Sequence, residues 1–320
     1  MQDIKRIELM VKVAQLYHEY HQTQQKIATL LNLSRPTVSR LLKEAEEEGI
    51  IRISVVNPLG EASELETALE KRFNLKKVIV VPSLNSSPQK IKERLGEKAA
   101  KYLHSIVRDG DIIAISWGTT LYEVALKVSP KRVSGVKVVQ SNGAIGKKSS
   151  NDHGNETLHL ISKAFNATSY SLPIPAIVDD KHVAELLKRE SLTREIFALL
   201  DAANIVLFSI GIPTTNSILV EAGYFTPEDL AELQRKGAVG DICSRYFDIN
   251  GEICDPELDA RTVGLELDKL RGKPYSIAVA GSREKAPGII AACKAGYINV
   301  LITDEAAAEE ILQLENEENE

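Results

Sequence analysis

A chain of 320 residues with a net charge of -6, 26% charged and 43% hydrophobic side chains, has the balance of a soluble globular protein, long enough for one small domain beside a large one. No apolar run approaches the roughly 20 residues that span a bilayer, and the mixed, charged stretch from Met1 to Met10 lacks the apolar centre of a secretory leader. Three cysteines (Cys243, Cys254, Cys293) are too few and too unevenly spaced for a zinc site or a disulfide framework, so reduced thiols, a cytoplasmic location, no membrane partner and no metal or cofactor are expected.

The first predicted helix runs from about Asp3 to Tyr20, with Ile4, Ile7, Leu9, Val11, Ala14, Leu16 and Tyr17 as its apolar stripe. A short helix follows from Thr23, an N-cap candidate, to Leu31; Asn32 and Leu33 make a turn. Ser34 then caps a third helix, Arg35 to Glu48, with Pro36 in the first turn where proline costs least. Gly49 stops it and Ile50 to Val56 reads as a strand.

The run Thr23 to Lys43 fits a helix-turn-helix. Ala28 is the small residue that lets two helices approach, Leu33 plugs the turn, and Val38, Leu41 and Leu42 anchor the third helix. Arg35, Thr37, Ser39, Arg40 and Lys43 are left facing outward, with Thr23 and Gln24 at the start of the preceding helix. Such a helix enters the major groove, where arginine reads guanine through two hydrogen bonds and hydroxyls reach bases or phosphates. From Gln22 to Lys43 there are four basic residues and no acidic one, a local basic face on an acidic chain.

Asn57-Pro58-Leu59-Gly60 is the first cluster of breakers and divides a domain at 1–56 from one at 57–320. Beyond it, strand-like runs (77–81, 111–116, 136–140, 168–172, 204–210, 276–280, 300–303) alternate with helical stretches (91–107, 121–128, 158–165, 228–236, 285–295). The expected fold class is therefore α/β, an N-terminal helix-turn-helix domain followed by a doubly wound, mostly parallel sheet.

In an open parallel sheet ligands sit beyond the carboxyl ends of the strands. That places a small-molecule site at Ser116-Trp117-Gly118-Thr119-Thr120, where glycine permits close approach, two hydroxyls are available and the free amides of a helix start favour an anion. Three loops are expected to converge there: Ser141 to Gly146 with Asn142 and Gly143, Gly211-Ile212-Pro213, and Gly281 to Lys285 with Arg283 and Lys285. Lys285 offers a point charge to phosphate, and Asp241 a carboxylate for sugar hydroxyls.

Over essentially its whole length the chain resembles the SorC family of sugar-responsive bacterial regulators. The resemblance is carried by Gln24-Gln-Lys-Ile-Ala28, Leu33-Ser-Arg-Pro-Thr-Val-Ser-Arg-Leu-Leu42, Asp109-Gly-Asp-Ile-Ile-Ala-Ile-Ser-Trp-Gly-Thr-Thr120, Gly237-Ala-Val-Gly-Asp-Ile242 with Tyr246-Phe-Asp248, Val279-Ala-Gly-Ser-Arg-Glu-Lys285, and Gly296 to Asp304. Within the family it is most similar to the deoxyribonucleoside regulators. The resemblance implies a sensor domain related to sugar-phosphate isomerases, a phosphorylated sugar as effector, a palindromic double-stranded operator, homodimers or homotetramers, and most often repression. It implies phosphate at the Thr119-Thr120 loop, and a pocket lined by Asp241 and Lys285. One position departs: where members often carry a basic residue, a lysine suited to Schiff-base formation in the deoxyribonucleoside regulators, this chain has Asn142, which cannot form an imine.

Three other readings fit the sequence less well. A sugar-phosphate isomerase or deaminase would need a placed general base, a role open to Asp241, but a helix-turn-helix has no purpose in that reaction. A metal site at Asp152-His153, Glu156 and His159 fits one helix face only imperfectly, with Gly154 weakening the helix. A serine hydrolase lacks its Gly-x-Ser-x-Gly elbow.

Overall fold

A computed structural model describes residues 2–51, 64–83, 86–145, 153–215 and 217–317, which fall into two compact units within the spans 1–61 and 62–320. The first unit contains α1 (Gln2–His18), α2 (Gln24–Leu31) and α3 (Arg35–Glu47). Its core is Met10, Val13, Ile27, Ala28, Val38, Leu41, Leu42 and Ala45, with Leu33 packed partly against it. Thr23 caps α2 by accepting the Lys26 amide at 3.3 Å, and Asn32 ends it in the left-handed conformation at φ 54°. Asparagine tolerates that conformation because its short polar side chain bonds locally. The Leu33 amide closes on the Ala28 carbonyl at 2.8 Å, and Ser34 caps α3 by accepting from the Thr37 amide at 3.2 Å.

The α1 stripe differs from its sequence pattern. Met10, Val13 and Ala14 are buried, whereas Ile7, Val11 and Tyr17 are exposed. The i, i+3, i+4 spacing of Met10, Val13 and Ala14 defines the inward face, and the apolar residues outside it only widened the apparent stripe. Ile50 and Ile51 pack against this core without forming a strand. The remainder of the expected strand (52–56), the 57–60 linker and the 56/57 boundary lie outside the described residues.

The second unit begins with α4 (Glu64–Phe73), β1 (Lys77–Val81), α5 (Pro88–Ile106), β2 (Ile112–Ile115), α6 (Thr119–Lys127), β3 (Lys137–Gln140), α7 (Gly154–Ala164) and β4 (Thr168–Tyr170). It continues through α8 (Lys181–Arg189), α9 (Ser191–Ala202), β5 (Ile205–Phe208), α10 (Ile218–Glu221), α11 (Pro227–Arg235), β6 (Gly240–Ile242), β7 (Arg245–Phe247) and α12 (Pro256–Arg261). It closes with β8 (Tyr275–Val279), α13 (Ala286–Lys294), β9 (Val300–Asp304) and α14 (Glu305–Glu317). Seven strands form one parallel sheet in the order β1-β9-β8-β5-β2-β3-β4. Alternate residues serve opposite faces: Val206 and Phe208 of β5 join one core cluster, Ile205 and Leu207 the other. Both faces are buried, which is why these strands read as unbroken apolar runs.

The chain leaves β2 for β3 and β4 on one side, then returns to lay β5 along the other side of β2, pairing Ala114 with Val206 and Ile115 with Leu207. The order reverses between β2 and β5, and the loops beyond their carboxyl ends part there and leave a crevice. β6 and β7 stand apart as an antiparallel hairpin that strand-helix alternation did not suggest.

Candidate functional site

The crevice is a cavity of about 440 Å³ lined by residues from all four expected loops and by Asp241. Ser116, Gly118, Thr119 and Thr120 come from the β2–α6 turn, Asn142 from beyond β3, Gly211 from beyond β5, Asp241 from β6, and Lys285 from the short 3-10 turn before α13. Two expected residues do not line it. Gly143 is held beneath the wall, its carbonyl accepting the Trp117 Nε1–H at 2.9 Å, which ties the loops beyond β2 and β3 together. Arg283 is exposed and turns to Glu309 and Glu310 of α14 at 3.4 and 3.3 Å, so its charge is directed elsewhere. Residues absent from the sequence reading also reach the cavity, among them Lys92 of α5, Ser209, Thr214 and Cys243. No local signal marks them, since Lys92 is one of several lysines on an amphipathic helix and Cys243 lies in a hairpin turn without glycine or asparagine.

The cavity wall is unusually rich in unspent hydrogen-bonding capacity. Ser116 (5% exposed), Thr120 (7%) and Asn142 (1%) are all buried and line it. Neither the Ser116 and Thr120 hydroxyls nor the Asn142 amide nitrogen is bonded to another described side chain or backbone group, and Asn142 Oδ1 accepts only a long 3.4 Å bond from Ser141 Oγ. Buried polar groups are ordinarily paired, so three at one concavity point to a ligand. α6 adds its amino end: Gly118 occupies the N-cap at φ 139° with no side-chain cap bond, leaving the first amides of the helix to the cavity. A Cβ at Gly118 would touch nothing, so glycine is needed there for backbone conformation alone.

Electrostatics divide the cavity. Burial pushes the Asp241 carboxyl up to about 6, opposed by the Ser244 amide, which donates to Oδ2 at 3.2 Å, and by the Lys285 charge. Burial likewise pulls the Lys285 ammonium down to about 8; Asp241 opposes this and Lys92 adds to it. At neutral pH both groups are charged in an environment that disfavours charge, as in sites prepared for a ligand. Burial also pushes the Cys243 thiol up to about 11, so it is a neutral, inert wall residue that shares a 3.3 Å contact with Ser141 Oγ. It and Ser244 hold φ of 53° and 67° in the β6–β7 turn, a conformation two-residue hairpin turns require but seldom build from these residues.

In the first unit, Arg35, Ser39, Arg40 and Lys43 are exposed and Thr37 is half-buried, its hydroxyl 2.7 Å from Ser34 Oγ. Thr23, Gln24 and Arg35 line one open cleft of about 670 Å³ with Tyr17, His18, His21, Gln22 and Gln25. Arg40 lies 3.8 Å from Glu44, whose carboxylate also accepts from Arg6 at 2.8 Å, and Lys43 lies 3.7 Å from Glu47. Arg35 has no acidic partner among the described residues. His153 stacks on Tyr122 with ring centroids 4.0 Å apart, and His159 is exposed; Asp152 lies outside the described residues. Among the described residues no three His, Cys, Asp or Glu side chains are grouped to hold a metal, and no helix is long and apolar enough to cross a membrane.

Residues 57–313 match the family model described as "Putative sugar-binding domain", and residues 12–58 match a Crp-like helix-turn-helix domain. The chain is 40% identical over 306 residues to the deoxyribonucleoside regulator of Bacillus subtilis (strain 168), covering 96% of this chain and 97% of the relative. It is 31% identical to the sorbitol operon regulator of Klebsiella pneumoniae, covering 98% of this chain and all of that one. The crystal structure of full-length SorC from Klebsiella pneumoniae superposes with a TM-score of 0.73 at 31% identity, over 96% of this chain and 98% of that one. These full-length relatives are regulators of transcription and not enzymes, which removes the isomerase alternative. With a helix-turn-helix domain followed by a sugar-binding domain on a seven-stranded parallel sheet, the chain belongs to the SorC family of sugar-binding transcriptional regulators.

Proposed function

We propose that this protein is a cytoplasmic repressor that binds a palindromic double-stranded operator as a homodimer or homotetramer and responds to a phosphorylated sugar. The observation that carries the effector half is the set of buried, open polar groups of Ser116, Thr120 and Asn142 around the amino end of α6, with Lys285 beside them. A phosphate satisfies the α6 amides, the Thr119 and Thr120 hydroxyls and the Lys285 ammonium, while Asp241 accepts from sugar hydroxyls. A cavity of about 440 Å³ suits a monosaccharide phosphate. Asn142 supplies a hydrogen bond and no imine, so the effector is held without a covalent link, and deoxyribose 5-phosphate captured as a Schiff base is disfavoured. On the DNA side, Arg35, Thr37, Ser39, Arg40 and Lys43 of α3, with Thr23 and Gln24, contact the operator. One such helix reads only a few base pairs, and two-fold symmetry extends the site.

A thermal-unfolding screen of the full chain against pentose and hexose phosphates and their unphosphorylated parents tests the reading, because a ligand bound only by the folded state raises its melting temperature. Stabilisation by one or more phosphorylated sugars, with release of operator DNA in a gel-shift titration at the same concentrations, is expected. Equal affinity for a phosphorylated sugar and its parent would overturn the phosphate assignment, and retention of DNA would overturn the assignment as a repressor relieved by its effector.

A further inference from the structure

Lys92 projects from the first turns of α5 into the same cavity, where its Nζ donates to Thr119 Oγ1 at 3.0 Å. It is half-buried, and among the described residues it has no acidic partner. That is an uncommon state for a lysine. A partly desolvated ammonium normally recovers its hydration from a carboxylate, and a neutral hydroxyl satisfies only one of its three donors. The hydroxyl it touches belongs to the first residue of α6, a nine-residue helix with no side-chain cap at its amino end. Thr120, the next residue, is 7% exposed and its hydroxyl has no partner among the described residues. Lys285 stands on another wall, near enough for Lys92 to act on its charge. Two ammonium groups from separate elements and one open helix terminus thus converge on a cavity whose lining carboxylates are Asp241 and Glu284, both of which act on Lys285.

We propose that Lys92 is a second cation of the anion seat, and that it makes the site select a dianionic phosphoryl group over a neutral sugar end. This rests on the reading of the cavity as a sugar-phosphate site and names the residue that enforces its selectivity. A dianion at the start of α6 meets the backbone amides from below, Lys285 on one side and Lys92 on the other, the Lys92–Thr119 bond giving way to, or being shared with, a charge-assisted bond to phosphate oxygen. A neutral hydroxymethyl group in the same place would leave two half-desolvated ammonium groups without an anion, a penalty that works against the wrong ligand.

The test is calorimetric titration of the full chain and of its Lys92→Gln and Lys92→Arg variants with inorganic phosphate, ribose 5-phosphate and ribose. The wild type should bind the two phosphates in preference to ribose. Lys92→Gln should weaken both phosphates about ten- to hundredfold while leaving any affinity for ribose undiminished or raised, and Lys92→Arg should recover most of the preference. A wild type that prefers the phosphates, with Lys92→Gln keeping that preference in full, overturns this inference and leaves the sugar-phosphate reading standing. A wild type that binds neither phosphate, or shows no preference, brings down that reading and this inference with it. Equal losses for phosphates and ribose in both variants would mark Lys92 as a prop for Thr119 and also overturn it.

Discussion

Gly211 and Asp241 exchange both of their backbone hydrogen bonds, at 2.9 and 3.1 Å, so that the β6–β7 hairpin is clamped to the loop beyond β5. The Asp241 carboxylate lies back over that pair: a Cβ on Gly211 would come within 2.0 Å of its Oδ1. The glycine is needed for space, and its absent side chain is what allows a carboxylate to sit in the cavity wall at this angle.

Gly211→Ala should therefore destabilise the effector-free protein by about 1 to 3 kcal/mol, the usual cost of overpacking, and displace Asp241 from the cavity. Denaturant unfolding measures the loss. In the double variant Gly211→Ala with Asp241→Ala the colliding group is gone, and most of the stability should return. Additive losses in that cycle would show that the alanine meets something other than the carboxylate.

The charge on Asp241 should be visible in the pH dependence of stability. Its carboxyl titrates at about 6 in the folded chain, above its ordinary value of 3.8, with burial as the main cause. Between those two pH values the folded state holds the proton that the unfolded state has released, so stability falls as pH rises through the interval and the cost is fully present above 6. Asp241→Asn removes this term. Its stability relative to wild type should be flat below about pH 4, rise in the variant's favour from 4 to 6, and level off at up to about 3 kcal/mol. A difference that does not vary with pH would place the carboxylate in a wetter setting than this one.

Much of this site is readable before folding, for identifiable reasons. Thr119, Thr120, Gly211 and Lys285 follow apolar runs directly, and the rule that ligands sit beyond strand ends needs only sequence order. The helix-turn-helix is readable because Thr23, Ala28, Leu33, Ser34 and Val38 each carry a local constraint of capping, approach or burial. Lys92 is not readable: it enters through the packing of α5 on α6, a tertiary relationship with no trace in local pattern. Arg283 misleads in the opposite way, since a basic residue two positions before Lys285 suggests the same target until α14 supplies Glu309 and Glu310. The β6–β7 hairpin escapes because Cys243 and Ser244 turn the chain where glycine or asparagine would normally announce it.

On the proposed DNA-contact face, Arg35 should matter more than Arg40 or Lys43. Arg35 opens α3 without an acidic partner among the described residues, whereas Arg40 and Lys43 must leave Glu44 and Glu47 to reach phosphates. Such exposed pairs are weak, so the bias is modest. Arg35→Ala should cost roughly 1 to 3 kcal/mol of operator affinity if the guanidinium reads a base. Glu44→Gln, which frees both Arg6 and Arg40, should strengthen non-specific binding and steepen its salt dependence. Gel-shift titrations over a salt series measure both, and unchanged operator affinity for Arg35→Ala would remove it from the contact face.

Effector affinity should have an upper pH limit set by Lys285. Burial is the main cause of its titration at about 8, and an anion bound beside it favours the charged form. The bound state therefore has a higher Lys285 pKa than the free state, and binding takes up protons as pH approaches and passes 8. Affinity for a sugar phosphate should be full below about pH 8 and decline above it, by up to tenfold per pH unit while the free lysine is neutral and the bound one charged. On the acid side, protonation of the phosphate monoester near pH 6 and of Asp241 at about 6 should weaken binding again, leaving an optimum between the two. Lys285→Arg keeps its charge throughout and should extend the alkaline limb beyond pH 9, even where its different shape lowers affinity overall. Dissociation constants measured from pH 5 to 10 in both proteins check this. A limb at the same pH in the arginine variant would assign the titration to another group and withdraw Lys285 from the anion seat.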